Sequence, residues 1–204
     1  MKNRILKHLK ENDEFISGQK LSEEFGMTRT AIWKYINALK KDGYEIESIS
    51  RRGYKLKSSP DLLSEIEIKK YLDTQYIGKE IINLPIIDST NCYAKLVAFS
   101  KEEGTIITAE QQISGKGRLG RNWTSPESTG IYMSIILKPN LDPTKVSKLT
   151  LIGAAAVCKG LTDIGLESQI KWPNDIVING KKVCGILTEM NCELNMINYI
   201  IMGI

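Results

Sequence analysis

Apolar residues in the first 41 positions recur at helical spacing. Ile5, Leu6 and Leu9 mark one face of a predicted helix over residues 2–10. Ser17 is placed to N-cap a second helix, Gly18–Phe25, with Leu21 and Phe25 inward and Gly26 suited to a left-handed stop. Thr28 is placed to cap a third, Arg29–Lys41, whose Ile32, Ile36 and Leu39 fall at i, i+4 and i+7, and Gly43 ends it. The pattern then changes. Ile46 and Ile49, then Tyr54 and Leu56, flank Arg51-Arg52-Gly53, which predicts a two-stranded hairpin with a basic tip. Three helices followed by such a hairpin have the spacing of a winged helix-turn-helix.

Ser58-Ser59-Pro60 reads as a linker, so two domains are expected, 1–60 and 61–204. Residues 64–72 carry a helix signal, with Ser64 as cap and Glu67 at the capping-box position. Beyond residue 80 the pattern is mixed. Strands are expected at 81–87, 105–112 and 131–139, with a helix from Asn91 to Phe99 between the first two. A long helix is expected from Pro143 to about Ile164, stopped by Gly165. A strand through 169–178 should turn at Asn179-Gly180 into a return strand, 181–190, and a last strand occupies 196–204. Hairpins outnumber crossovers, which predicts an α+β sheet with helices on one face.

Composition sharpens the division. Hydrophobic residues make up 42% of the 204 and charged residues 25%, values of an ordinary globular chain. No run of 18 apolar residues exists and the N-terminus lacks a signal core, so a cytoplasmic protein without a membrane span is expected. The net charge of +4 is uneven: residues 1–60 carry 13 Lys+Arg against 8 Asp+Glu, and the remainder 15 against 16. The basic excess therefore lies with the helix-turn-helix. Arg29, Thr30, Trp33, Lys34, Asn37 and Lys41 stand off the apolar face of the third helix. With the caps Ser17 and Thr28 and the wing residues Arg51 and Arg52, they are the candidate DNA contacts. A helical unit for protein contacts with a solvated basic face is the other reading.

The only histidine is His8, in the first helix, which argues against a histidine base or triad. Cys92, Cys158, Cys184 and Cys192 show no C-x-x-C spacing, so reduced thiols are expected. Gly115-Lys116-Gly117-Arg118-Leu119-Gly120-Arg121-Asn122-Trp123 matches G-x-G-x-x-G literally, but a turn follows it rather than a helix, and the dinucleotide reading fails on context. A P-loop fails too, because Arg121 and Asn122 stand where Lys and Ser/Thr are required. What remains is a glycine-rich loop with Lys116, Arg118 and Arg121, suited to a phosphate-bearing anion or simply solvated. Lys171-Trp172-Pro173-Asn174-Asp175 puts polar groups at the start of an apolar strand, where Asp175 can hold a phosphate-bound metal or Asn and Asp merely stabilise a turn. Lys182 precedes Gly185 within a strand, either solvated or beside a close ligand approach. Asp88-Ser89-Thr90-Asn91 can cap a helix, bind a ligand there, or both.

These four motifs, in this order and behind a winged helix-turn-helix, resemble the biotin–protein ligases, specifically the bifunctional ligase and biotin-operon repressor group. The resemblance runs along essentially the whole chain. It implies a class II synthetase-like sheet and an ATP-dependent reaction that joins biotin to AMP, then passes biotin to a lysine of a biotin carboxyl carrier domain. Ser89, Thr90, Asn91 and Gln112 match positions holding biotin's ureido head, and Gly115, Lys116, Gly117, Arg118 and Gly185 match others around biotin. Arg118, Arg121, Trp123, Lys171, Asn174 and Asp175 match the nucleotide side, with Mg²⁺ at Asp175. Lys182 matches the lysine bridging the biotin carboxylate and the α-phosphate, and Lys182 with Arg118 would be catalytic. Operator DNA and a ligand-promoted homodimer are the further partners implied.

The chemistry of the residues agrees. A carboxylate attacking phosphorus is already ionised and needs no general base, so cations and positioning do the work. Lys116 departs from the family pattern, where arginine is usual. Lysine keeps the positive charge there but has no planar guanidinium to grip an anion with two parallel hydrogen bonds. The family also continues beyond the position of Ile204, through more sheet and a small SH3-like β-barrel domain. The resemblance thus implies a fragment of impaired activity. A lipoate-type acyltransferase with a regulatory domain is the alternative.

Overall fold

The computed structural model describes residues 1–194 and 196–204. They form two compact units, Met1–Leu62 and Leu63–Ile204. The first contains α1 (Lys2–Lys10), α2 (Gly18–Phe25), α3 (Arg29–Lys41), β1 (Glu45–Ile49) and β2 (Gly53–Ser58). Ile5, Leu6, Leu9, Leu21, Ile32, Ile36 and Leu39 are all at most 2% exposed, each contributing roughly 1.5–3 kcal/mol of burial. The expected caps form: Ser17 Oγ accepts the Lys20 N–H at 3.1 Å, and Thr28 Oγ1 accepts that of Ala31 at 3.2 Å. Gly26 ends α2 at φ 61°, a conformation that costs glycine nothing. Phe25 is only half-buried and packs edge-on against His8. The antiparallel hairpin β1–β2 is tied to the helices by a bridge between Ile16 and Tyr54.

The second unit runs α4 (Glu65–Lys69), β3 (Ile81–Ile87), α5 (Thr90–Val97), β4 (Ile106–Gln112), β5 (Tyr132–Leu137), α6 (Ser147–Asp163), β6 (Gln169–Lys171), β7 (Asp175–Ile178), β8 (Lys181–Gly185), β9 (Leu187–Glu193) and β10 (Met196–Gly203). A five-stranded sheet has the order β3-β4-β5-β10-β9, with β3 and β4 parallel and the other pairs antiparallel. A three-stranded antiparallel sheet, β6-β7-β8, stands beside it. The α+β class holds, but the long helices are divided between the sheet faces. Ile201 of β10 packs with Ala94 of α5 and with Ala98 in the 3-10 turn that follows it, while its neighbour Met202 packs with Ala154 of α6. Successive strand residues point to opposite faces, so α5 and α6 cover opposite sides. The apolar run Tyr199–Met202 of β10, buried throughout, is the signature of a strand covered on both faces.

Several boundaries differ from the periodicity. The helix expected over 64–72 ends at Lys69, and the Ser64 side chain caps nothing; Glu67 turns to Lys70 instead, at 3.6 Å. Pro143–Lys145 is a single 3-10 turn ahead of α6. The strand expected through 169–178 breaks at Trp172-Pro173-Asn174, where proline has no N–H for a ladder. The return strand expected over 181–190 breaks at Ile186, and its halves join different sheets. The cause is a tertiary pairing. The Ile186 N–H donates to Asn174 O at 2.8 Å, and Ile186 O accepts from Asn174 Nδ2 at 3.1 Å. Both backbone groups are thereby taken out of either ladder.

Candidate functional site

A cavity of about 420 Å³ opens in the second unit, where the N-terminus of α5, the ends of β4 and β10, the loop after β4 and the β8–β9 junction meet. Part of its wall is neutral and polar. Ser89 and Thr90, at the start of α5, are 2% and 3% exposed. The Thr90 N–H donates to Gln112 Oε1 at 2.8 Å, with the Thr90 hydroxyl 3.1 Å from the same oxygen. Gln112 Nε2 in turn donates to Ser125 Oγ at 2.9 Å, which fixes the amide's orientation.

The rest of the wall is cationic. Arg118 Nη1 donates to Asn174 Oδ1 at 2.8 Å, joining the glycine-rich loop to the Trp172–Asp175 turn. Lys182 Nζ lies 2.7 Å from Asp175 Oδ1 and 4.9 Å from the centre of the Trp123 ring, an ion pair reinforced by a cation–π contact. The loop itself is a closed structure. The Gly117 N–H donates to Arg121 O and the Trp123 N–H to Gly115 O, each at 2.7 Å, and Leu119 sits at φ 56°. Lys116 is held above its ordinary pKa, chiefly by a hydrogen bond with Cys92. Burial pushes the Cys184 thiol up to about 11, against the lowering effect of Lys182. All four cysteines are free thiols.

Of the residues singled out from the sequence, Ser89, Thr90, Gln112, Lys116, Gly117, Arg118, Arg121, Trp123, Asn174, Asp175, Lys182 and Gly185 line this cavity. Asn91, Gly115 and Lys171 are not among the lining residues. Asn91 is 4% exposed, and its amide nitrogen donates to Glu189 Oε2 at 2.9 Å and to Leu187 O at 3.3 Å. Gly115 is buried with its would-be Cβ 2.4 Å from Trp123 O. Lys171 is exposed on β6. Sequence reasoning misses Asn122, Tyr132 and Gly203 in the wall, and Ser125, Ser134 and Glu189 in the hydrogen-bond network of the polar wall. Asn122 stands within the glycine-rich motif, and Ser134 leaves a signal as a lone hydroxyl inside the apolar run of β5. Among the described residues no group of three or more His, Cys, Asp or Glu side chains could hold a metal, and Asp175 stands as a single carboxylate paired to Lys182.

The first unit presents a separate surface. A groove of about 460 Å³ is lined by Ser17, Arg29, Trp33, Asn37, Lys40 and Arg51, among others. Lys34 and Lys41 line an adjoining depression with Trp33, which is 55% exposed. Thr28 spends its hydroxyl on the α3 cap, and Thr30 is exposed outside both grooves. Arg52 is exposed, with its guanidinium 4.4 Å from the Phe15 ring centre. Among the described residues no helix is long and apolar enough to cross a membrane.

Comparison with known proteins follows the same division. An HTH domain model matches residues 2–55. Over 193 residues the chain is 47% identical to the bifunctional ligase/repressor BirA of Bacillus spizizenii, covering 94% of this chain and 59% of that protein. It is 33% identical over 193 residues to the BirA of Escherichia coli, covering 94% and 59%. The chain thus spans about three fifths of the length of these curated relatives. The biotin protein ligase from Aquifex aeolicus, solved in complex with biotin and ATP, superposes with a TM-score of 0.51 at 33% identity, over 61% of this chain and 50% of that one. The model of the biotin/lipoate A/B protein ligase family matches residues 84–204, more than half of the sequence, and the chain belongs to that family.

Proposed function

We propose that the chain acts in the ATP-dependent activation of biotin to biotinyl-5′-AMP and its transfer to a lysine of a biotin carboxyl carrier domain, with the N-terminal unit binding operator DNA. The observation that carries the reading is the cavity's division into a neutral hydrogen-bonding part around Ser89, Thr90 and Gln112 and a cationic part around Arg118, Arg121 and Lys182. A ligand with an uncharged cyclic urea and a carboxylate matches both.

In this reading biotin's carboxylate oxygen attacks the α-phosphorus of ATP. The new O–P bond forms as the bond to the pyrophosphate oxygen breaks, and pyrophosphate leaves with the electron pair. Two anions must approach, so Lys182 and Arg118 stabilise the charge that converges between them. Asp175 keeps Lys182 aimed, Trp123 offers a face for the adenine, and Asn174 holds Arg118. Lys171 and Arg121 supply further positive charge toward phosphates. Asp175 is the residue that would hold Mg²⁺ together with the phosphates, since that ion is commonly held by one or two carboxylates plus substrate phosphates; it would supply charge neutralisation. The acceptor lysine's amine then attacks the acyl carbon, an amide forms and AMP departs. Asn91 and Gly115 support this wall from behind it.

Residues 1–60 form the regulatory domain and 61–204 the catalytic one. Ser17, Arg29, Trp33, Asn37 and Arg51 face the operator, flanked by Thr28, Thr30, Lys34, Lys41 and Arg52, and two half-sites require a dimer promoted by biotinyl-AMP. Four free thiols suit the cytoplasm. Calorimetry with biotin and with lipoate is the first test. Saturable biotin binding without lipoate binding is expected; the reverse overturns the reading in favour of a lipoate-type acyltransferase. Biotin-dependent ATP–pyrophosphate exchange should be detectable, and its absence at saturating biotin and ATP would count against the activation step.

A further inference from the structure

We infer that Trp33 is a specificity-determining residue of the first unit, packing its indole on the 5-methyl group of a thymine in the operator's major groove; this deepens the operator reading and rests on it. α3 has its core without this side chain, since Ile32, Ile36 and Leu39 are each at most 1% exposed. Trp33 faces away from them and is 55% exposed. Among the described residues its ring has no aromatic or cationic partner, and its indole N–H donates to no acceptor. A large apolar group left in water and rimmed by polar ones marks an interaction site. The base beneath it is fixed at both ends of the helix. Thr28 Oγ1 caps α3 at Ala31, and Lys40 Nζ donates to Ser48 Oγ of β1 at 2.9 Å.

The rim says what the indole meets. Trp33 lines both depressions of this face, so it stands as a ridge between them. Lys34 and Lys41 border one, Arg29 and Arg51 the other, and Asn37 and Lys40 border both. Among the described residues no carboxylate lines either depression. Five cations thus surround an indole that owns one donor and no charge, and phosphates have better partners than Trp33. What the cations leave unread is the apolar content of the groove. Base edges there offer donors, acceptors and one apolar group, the thymine 5-methyl. The position on the helix agrees. Recognition helices set their N-terminal residues on base edges. Arg29 is the first residue of α3, and Trp33 follows one turn on, about 6 Å along the same face. Asn37 follows one turn further. Arg29 suits guanine and Asn37 suits adenine, and Trp33 between them adds the thymine.

The test uses the whole chain with biotinyl-AMP. Duplexes are selected from a randomised pool, and the enriched sequence is resynthesised with deoxyuridine in place of each thymine in turn. Uracil pairs as thymine does and lacks only the methyl. Replacement at one thymine of each half-site is expected to weaken binding about fourfold, the usual worth of one buried carbon. In Trp33→Ala the same replacement should have no effect, while the salt slope stays as it was because no cation is lost. Uracil sensitivity that persists in Trp33→Ala, or that is missing at every position in the unaltered protein, overturns the thymine contact and leaves DNA binding intact. A loss equal on all duplexes with a shallower salt slope makes Trp33 a backbone contact and overturns it too. Salt-dependent binding with no enriched sequence does the same. No binding of any duplex overturns the operator reading and this proposal with it. Trp33→Gln is the second variant if Trp33→Ala loses its helical signal by circular dichroism, and it too should lose the uracil sensitivity; retention there overturns the contact.

Discussion

Lys182 sits between a carboxylate 2.7 Å away and an indole face, so its charge is aimed before any ligand arrives. Removing it should spare the neutral part of the cavity. Lys182→Ala is therefore expected to keep biotin binding within about tenfold while slowing biotin-dependent ATP–pyrophosphate exchange by about 10²–10³, the usual cost of losing one charge-stabilising group. Equal loss in both measurements would make Lys182 a binding residue only. Cys184, two residues on, offers a pH test. Its thiol is raised from 9.0 to about 11 by burial, so the folded protein holds that proton more tightly than the unfolded chain. The stability it contributes is complete below about pH 9 and is lost as pH rises through 11. Alkylation at pH 9 should accordingly label exposed Cys192 well before Cys184, and equal rates would contradict the shift. At this scale the sequence is informative wherever a motif is contiguous. Lys182, Arg118, Trp123 and the residues from Ser89 to Asn91 are legible because each stands in a short, chemically odd run. Glu189 is not, because it meets Asn91 98 positions away, through a fold that no local pattern encodes.

The elements of the first unit are readable nearly to the residue, because capping, periodicity and glycine stops all act within one turn of chain. In the second unit the same reasoning runs two strands through breaks. The Asn174–Ile186 pairing that interrupts the return strand is a contact between residues twelve apart, invisible to a period of 2. The hairpin of the first unit shows what geometry adds to a correctly read element. Arg51 and Arg52 are equivalent in sequence, yet Arg52 lies over Phe15 while Arg51 lines the groove beside α3. Arg51→Ala should thus weaken operator binding by about 1 kcal/mol or more and flatten its salt dependence by about one counterion. Arg52→Ala should cost thermal stability by removing the stack on Phe15, with a smaller effect on the salt slope. The opposite ranking, measured by fluorescence anisotropy across a salt series, would reverse the assignment of the two arginines.

Across the whole molecule the two units carry different electrostatic tasks. Residues 1–60 hold an excess of five positive charges, and residues 61–204 are nearly balanced while concentrating Arg118, Arg121 and Lys182 around one cavity. The first distribution suits a polyanion met along an extended face, the second a small ligand met at a point. If the cavity regulates the DNA-binding unit, operator affinity depends on what the cavity holds, and by thermodynamic reciprocity DNA strengthens ligand binding by the same factor. A single winged unit contacts too few phosphates for tight binding, so the coupling should act through dimerisation. Operator binding is then expected to show two linked signatures: steep salt dependence, falling by about 10³–10⁵ between 50 and 200 mM for about six to ten phosphate contacts, and a rise in affinity with biotinyl-AMP that tracks dimer formation by sedimentation. Salt-dependent binding that ignores the ligand would separate the two tasks, leaving a DNA-binding unit and a ligase unit that share a chain without regulating one another. Binding insensitive to salt would remove the DNA role altogether, because the basic face of the first unit has no other claim to an operator than its charge and the side chains around its groove.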